Sequence, residues 1–386
     1  MSDGALAADG DVREKLLAGI REHREEFEDA GNRAEELRTL PPDAVQTLRE
    51  LGAFWLKTPA ELGGTPLDPV EFCDVMEELA YTDVSVAWAT MIGCGCAGMA
   101  GGWLPDAGVR RVFAPDEPLP LIAGQLQPRG TGRPVDGGYV VSGRWSFASG
   151  IVHSSWLIAS FRVSGDEGRI PVFLVPKDEA TVIDTWHVAG LVGTGSMDFA
   201  LDEVFVPAEM MYERTAPGAR GGALYRQDGL QFVSNEVPPL CVGMARRALD
   251  DMTELASRTA RFAGGATLSE RAVFLKELGR AETKIAAARL VHRDAIETAW
   301  EATRAGTGAT PAQLIAVNTT SVYAVETCAE VITDLFRYGG GRVLSLSNPM
   351  QRHLRNSLAA RQHVAITEEH YEIAGRDRIE SAKRRD

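Results

Sequence analysis

The sequence predicts an α+β protein built from an N-terminal helical domain, a central β-barrel or sandwich domain, and a C-terminal four-helix bundle. Three observations carry this. Apolar stripes at helical spacing fill the first third; short runs rich in Val, Ile, Phe and Trp begin at about Leu119; and a helical pattern returns on a larger scale after the Gly/Arg/Ala-rich stretch at 216–223. The expected domains are 1–118, 119–222 and 223–386. A chain of 386 residues is too long for one small core.

In the first domain, Pro41 and Pro42 precede Asp43 and the stripe Val45, Leu48, Leu51, and Gly52 supplies a helix stop. Asp68 caps a second helix with Pro69 in its first turn and Phe72, Cys73, Met76, Leu79 and Ala80 on its apolar face. The β domain is expected from YVVS (139–142), WLIASFRV (156–163), IPVFLVP (170–176) and FALDEVFVP (199–207), with Gly137 and Gly138 turning into the first. In the third domain, a segment from Pro238 to about Ala256 is followed by two helix starts, Thr267 with Glu270 and Thr310-Pro311 with Gln313. The second of these runs to Gly339-Gly340-Gly341, and a last helix from Pro349 is expected to carry Arg352, Arg355 and His363. Four long helices suit an up-down bundle.

Composition narrows the function. With 40 Lys+Arg against 54 Asp+Glu the formal charge is −14, which repels polyanions and argues against a nucleic-acid partner. Five scattered cysteines, only Cys94 and Cys96 close together and with no histidine at zinc-ligand spacing, read as reduced, mostly buried thiols. No basic patch precedes an apolar run at the N-terminus, and no apolar stretch is expected to reach the roughly 18 residues of a membrane span. A cytoplasmic protein without a membrane partner is the expectation.

There is no GxxxxGK[ST], HExxH or GxSxG. Gly93, Gly95 and Gly98 match GxGxxG in letters, but they fall late in an Ala-rich run of helical character with no strand before it. The string Gly143-Arg144-Trp145-Ser146-Phe147-Ala148-Ser149-Gly150 alternates aromatic rings with small residues on a strand that then breaks. It reads either as a sandwich core with a polar edge or as a wall for a flat heterocycle. Trp186-His187-Val188-Ala189-Gly190-Leu191-Val192-Gly193-Thr194-Gly195-Ser196-Met197-Asp198 joins a tryptophan, a glycine-rich turn and a hydroxyl pair just before a strand ending in FVP.

At this point the chain resembles the acyl-CoA dehydrogenase superfamily, in which W-x-x-x-G-x-x-G-T-G-S-x-D precedes a strand and V-P. Three further stretches agree. Arg261-Phe262 looks like the family's Arg-then-Phe-Gly element with Ala263 in place of the glycine; Tyr338-Gly339-Gly340-Gly341-Arg342 looks like its GG turn; and Pro349-Met350-Gln351-Arg352-His353-Leu354-Arg355-Asn356 resembles P-x-x-R-x-x-R-D. The catalytic glutamate of many acyl-CoA dehydrogenases is missing, because Ala360-Arg361-Gln362-His363-Val364-Ala365 holds no carboxylate and Tyr371-Glu372 lies about two helical turns too far along. Ala359-Ala360-Arg361-Gln362-His363 is instead similar to the two-component flavin-dependent monooxygenases of this fold, the phenol and steroid-ring hydroxylase branch, with Asn356 departing from the usual Asp.

That resemblance implies an oxygenase component using reduced FMN or FAD and O₂, through a flavin hydroperoxide, to hydroxylate an aromatic or polyketide-like small molecule. It implies a separate NAD(P)H:flavin reductase and a homotetramer. It places Phe147, Ser149 and Trp186 at the flavin ring, Arg261, Phe262 and Arg342 at the rest of the cofactor, and His363 as general base. Histidine suits that role because its unperturbed pKa of about 6.5 lies near neutrality, and guanidinium groups offer phosphate a planar fork. The alternatives are an acyl-CoA dehydrogenase-type flavoprotein and a non-catalytic homologue kept as a binding subunit. The missing glutamate argues against the first; Ser149, Trp186 and His363 together argue against the second. His153, His187 and His292 have no motif behind them.

Overall fold

The computed structural model describes residues 6–213, 218–227, 232–233, 236–258 and 267–384. Six helices come first: α1 (Leu6–Glu22), α2 (Arg24–Leu37), α3 (Pro42–Glu50), α4 (Pro69–Thr82), α5 (Val84–Trp103) and α6 (Asp106–Val112). Their signals act as the sequence suggests. Gly52 takes φ +71° just after α3, and Asp68 Oδ1 accepts the N–H groups of Val70 and Glu71, satisfying two of the donors left over at the start of α4.

Contrary to the expectation about membrane spans, α5 is long and apolar enough to cross a bilayer; it is instead 94% buried within the fold. Its glycines serve packing. A Cβ on Gly93 would stand 2.9 Å from the Phe54 ring, and one on Gly98 would stand 2.4 Å from the backbone oxygen of Lys57. The GxGxxG letters are therefore the small face of a core helix.

The β domain comprises β1 (Ile122–Val135), β2 (Gly138–Ala148), β3 (Trp156–Val163), β4 (Pro171–Pro176), β5 (Thr181–Ile183), β6 (Met197–Pro207) and β7 (Met211–Glu213), bonded in the order β5-β6-β2-β1-β3-β4-β7. All pairings are antiparallel except β1 with β3. The sheet curls over a core of its own aromatics. Trp145 of β2 stacks on Phe199 of β6 at 5.2 Å, and it also meets Phe173 of β4, three strands away in the sheet order, at 5.6 Å. Its indole N–H, buried with it, is satisfied by the Ser160 carbonyl at 2.8 Å.

The remaining helices are α7 (Val237–Arg258), α8 (Ala272–Arg304), α9 (Pro311–Phe336), α10 (Pro349–Ala360) and α11 (Glu369–Lys383). Both capping boxes form, the one at Thr267 opening a single 3₁₀ turn before α8 begins. α10 stops at Ala360, so His363 does not ride on the last helix but sits in the turn before α11. There the side chain competes with helical bonding, since His363 Nδ1 accepts the Ala365 N–H at 3.3 Å.

The chain divides into two compact units. One comprises Met1–Phe72, Ser85–Val188 and Val192–Val233; the other comprises Cys73–Val84, Ala189–Leu191 and Ser234–Asp386. In the second, Glu77 accepts from Arg246 and Arg289, both at 2.6 Å, while Asp74 pairs with Arg289 and Arg293, seating the segment 73–84 on α7 and α8.

Candidate active site

In the first unit the 143–150 string sends its two aromatic side chains to different places. Trp145 points into the core. Phe147, two residues on, lies at a break in the β2–β6 register, at φ +67°. A left-handed backbone is costly for a residue with a Cβ, by about 1–2 kcal/mol. The bulge nevertheless holds the phenyl ring out, 65% exposed. Trp186 stands edge-on to it, with ring centroids 6.1 Å apart and planes at 90°. The indole N–H donates to the Val192 carbonyl at 3.1 Å, which fixes the ring relative to the glycine-rich turn.

Behind this corner lies a row of hydroxyls. Ser149 Oγ is 2.7 Å from Ser196 Oγ, which is 2.7 Å from Thr194 Oγ1. All three residues are buried, and the Gly150 N–H donates to the Thr194 carbonyl at 2.9 Å. Each hydroxyl has one donor and two acceptor sites, so the row can rotate to pass a hydrogen bond along it. Ser149 was expected from the sequence. Thr194 and Ser196 were visible there only as letters of GTGS, without an assigned role.

In the second unit α10 is an anchored helix. Arg352 lies 3.5 Å from Asp83, and His353 Nε2 is 2.8 Å from Asp251 Oδ2, with Arg247 Nε on the same carboxylate at 2.9 Å. Asp251 is pushed up by burial, but His353 and Arg247 outweigh this and hold it below the usual carboxylate range. Asn356, the departure from the family pattern, has a definite structural role, because its Oδ1 accepts the Leu191 N–H at 2.7 Å. Leu191 is itself in the left-handed region at φ +54°. Arg355 donates to the Ala189 carbonyl at 2.6 Å, so residues 189–191 are held by α10 from both ends.

His363 keeps some solvent contact, yet enough protein surrounds its ring for lost hydration to lower its pKa to about 4. The bond from Ala365 assigns the neutral tautomer: Nδ1 accepts and Nε2 carries the hydrogen. Arg342 is exposed on a 3₁₀ turn, Gly340–Leu344, entered through Gly340 at φ +61°. Arg261 and Phe262 lie outside the described residues. Thus Phe147, Ser149 and Trp186 are brought together within one unit, and Arg342 and His363 belong to the other. Among the described residues no cluster of His, Cys, Asp and Glu could hold a metal.

An open aromatic corner backed by hydroxyls fits a flat, hydrogen-bonding heterocycle, and the family relationships agree. Residues 12–101 match the acyl-CoA dehydrogenase N-terminal domain and residues 238–368 the acyl-CoA dehydrogenase C-terminal domain. The chain belongs to the acyl-CoA dehydrogenase family. Within it, the chain is 30% identical over 375 residues to the flavin-dependent monooxygenase oxygenase subunit HsaA of Rhodococcus jostii RHA1, covering 91% of this chain and 92% of that one. It is 29% identical to the oxygenase component of an FADH₂-dependent resorcinol hydroxylase of a Rhizobium species, covering 88% of both. XiaF from a Streptomyces species, solved with FADH₂ and glycerol, superposes with a TM-score of 0.88 at 25% identity, covering 96% of both chains. The protein is a flavin-dependent monooxygenase of the acyl-CoA dehydrogenase fold.

Proposed function

We propose that the chain is the oxygenase of a two-component system that receives reduced FMN or FAD from a separate NAD(P)H:flavin reductase and hydroxylates a small aromatic or polyketide-like substrate. The observation that carries this reading is the Phe147–Trp186 corner, where a strained backbone holds an aromatic ring in solvent instead of in the core. Phe147 and Trp186 would flank the ring system, the hydroxyl row from Ser149 would meet its polar edge, and Arg342, with Arg261 and Phe262, would hold the remainder of the cofactor. Bound flavin supplies the activation of O₂.

His363 supplies proton chemistry. Neutral at pH 7, it can take the proton of a substrate hydroxyl at Nδ1, giving up the 3.3 Å bond from Ala365. Burial alone would make it a weak base. Transfer, however, leaves imidazolium beside a phenolate, and that opposite charge restores the basicity that desolvation removes. A half-buried position also limits the water that would waste reducing equivalents.

The exposed Leu290 and Val291 on α8 line a groove of about 500 Å³ with Ala295 and, from α9, Ala316, which supports assembly through the bundle into a homotetramer. The five cysteines are thiols rather than disulfides, which suits the cytoplasm.

The test is anaerobic titration with reduced and oxidised FMN and FAD, followed by turnover of a phenolic substrate with an added reductase and isotopically labelled O₂. Tighter binding of the reduced form and label in the product are expected. Stoichiometric NADH oxidation by the pure protein alone would overturn the two-component reading.

A further inference from the structure

The turn Arg38-Thr39-Leu40, which follows α2, touches every segment of the aromatic corner. Arg38 is the C-cap of α2 in left-handed geometry at φ +56°, a place that favours glycine. Its guanidinium forms a two-pronged pair with Asp184, Nη1 to Oδ1 at 2.6 Å and Nη2 to Oδ2 at 2.7 Å. Nη1 also reaches the Trp186 carbonyl at 3.4 Å and the His187 ring at 3.3 Å. One residue on, Thr39 Oγ1 lies 2.9 Å from where a Cβ on Gly195 would stand, and Gly195 has φ +55°. His153, four residues beyond Ser149, directs Nε2 at the Leu40 carbonyl (2.9 Å) and at Thr39 Oγ1 (3.3 Å). Three consecutive residues thus meet the segments at 147–153, 184–187 and 193–196, all within one compact unit.

We propose that Arg38 is a positioning residue for Trp186, and that the turn 38–40 is the bracket that sets the corner's geometry. The inference rests on the flavin-site reading above. The bidentate pair fixes the segment 184–187 in direction as well as distance, which a point charge cannot do. Trp186 is then held from two sides, through its carbonyl by Arg38 and through its indole N–H by Val192. Arg38 meets Trp186 through its backbone carbonyl rather than its ring, so its effect is on placement.

Amide hydrogen exchange on the flavin-free protein and anaerobic titration with reduced FMN test this together. Arg38→Ala should speed exchange across 184–187 about tenfold or more while leaving the strand 157–163 unchanged. It should also raise the dissociation constant for reduced FMN about three- to fivefold, the range of a partly exposed ion pair. Asp184→Asn should reproduce both effects without adding to them in the double variant, and Arg38→Lys, which keeps the charge but not the fork, should recover only part. Unchanged exchange at 184–187 overturns the bracket whatever the flavin does. Faster exchange with unchanged affinity, in a protein whose Trp186→Ala variant binds flavin less tightly, overturns the positioning role. If Trp186→Ala also binds as the parent does, the flavin wall itself falls, and with it the cofactor half of the proposal.

Discussion

The aromatic corner and the turn after α10 solve opposite problems. At the corner, every polar atom that shapes the site is tied to a neighbour: the indole N–H to Val192, the hydroxyls of Ser149, Ser196 and Thr194 to one another, and the Trp186 segment to Arg38. The Phe147 ring, open to solvent, is held there against backbone strain. At the turn, a weak bond of 3.3 Å engages Nδ1 of His363, and withdrawal from water lowers the pKa of the ring. A corner so tied would bind a cofactor without moving, and on the reading proposed above the turn would exchange a proton, which needs a partner that can be given up.

The largest effect should come from the turn. A positioned base contributes about 10² to 10⁴ in rate, so His363→Ala should lower product formation by that factor while leaving the affinity for reduced flavin nearly unchanged. Reducing equivalents should then appear as H₂O₂, read by product and peroxide assays side by side. In the parent, the acid limb of kcat/KM should fall near the depressed value of about 4 rather than near 6.5, because the free enzyme stays unprotonated down to there. Product formation by the variant equal to the parent's would move the search to His153 or to a substrate needing no deprotonation.

Next is the cation expected to hold the cofactor. Hydrogen bonds to charged groups are worth about 1.5–3 kcal/mol, so Arg342→Ala should weaken flavin binding by roughly ten- to a hundredfold. Because Arg342 is exposed on its 3₁₀ turn, the melting temperature should barely move. An unchanged dissociation constant assigns Arg342 to the surface alone.

Burial of His363 also makes the turn sensitive to acid. Its folded pKa of about 4 lies below the usual 6.5. Above pH 6.5 the ring is neutral whether folded or not and contributes no pH dependence. As pH falls from 6.5 towards 4 the unfolded chain binds the proton first, so stability declines through that window, by about 2 kcal/mol at pH 5. Urea unfolding at pH 7 and pH 5 should show His363→Gln losing less stability on acidification than the parent. Equal losses would mean that the ring is solvated.

How much of this was legible beforehand depended on whether neighbours in sequence are also neighbours in space. The strands at 156–163 and 199–207 and the caps at Asp68, Thr267 and Thr310 follow from local strings whose chemistry acts within a few residues or across one sheet, whereas Phe147 and Trp186, 39 positions apart, were brought together only by the family resemblance. The end of α10 was not legible, because nothing in Ala359-Ala360-Arg361-Gln362 disfavours a helix; yet the Gln362 and His363 N–H groups already bond only three residues back, to Ala359 and Ala360, and His363 Nδ1 then accepts the Ala365 N–H. Arg38 was equally silent. It is one arginine among many in a polar helix end, and its partners lie 146 to 149 residues away. Asn356 looked like a loss relative to the family pattern, and only the left-handed Leu191 shows what its carbonyl oxygen satisfies.

The smallest expected effect makes the sharpest cut between the two regions, because at Phe147 stability and binding should move in opposite directions. A phenyl ring 65% exposed contributes little burial, while its φ of +67° opposes any residue with a Cβ. Phe147→Gly removes that strain of about 1–2 kcal/mol and adds back about 0.5–1 kcal/mol of chain entropy, so folding stability should stay level or rise by up to about 1 kcal/mol. Flavin binding should nonetheless weaken about fivefold, the share of an aromatic contact worth roughly 1 kcal/mol. Denaturant melts and anaerobic titrations on the same preparation separate the two. If Phe147→Gly destabilises the protein and leaves flavin affinity intact, the exposed ring is a packing element of the β domain, and the corner loses its claim to be the cofactor wall.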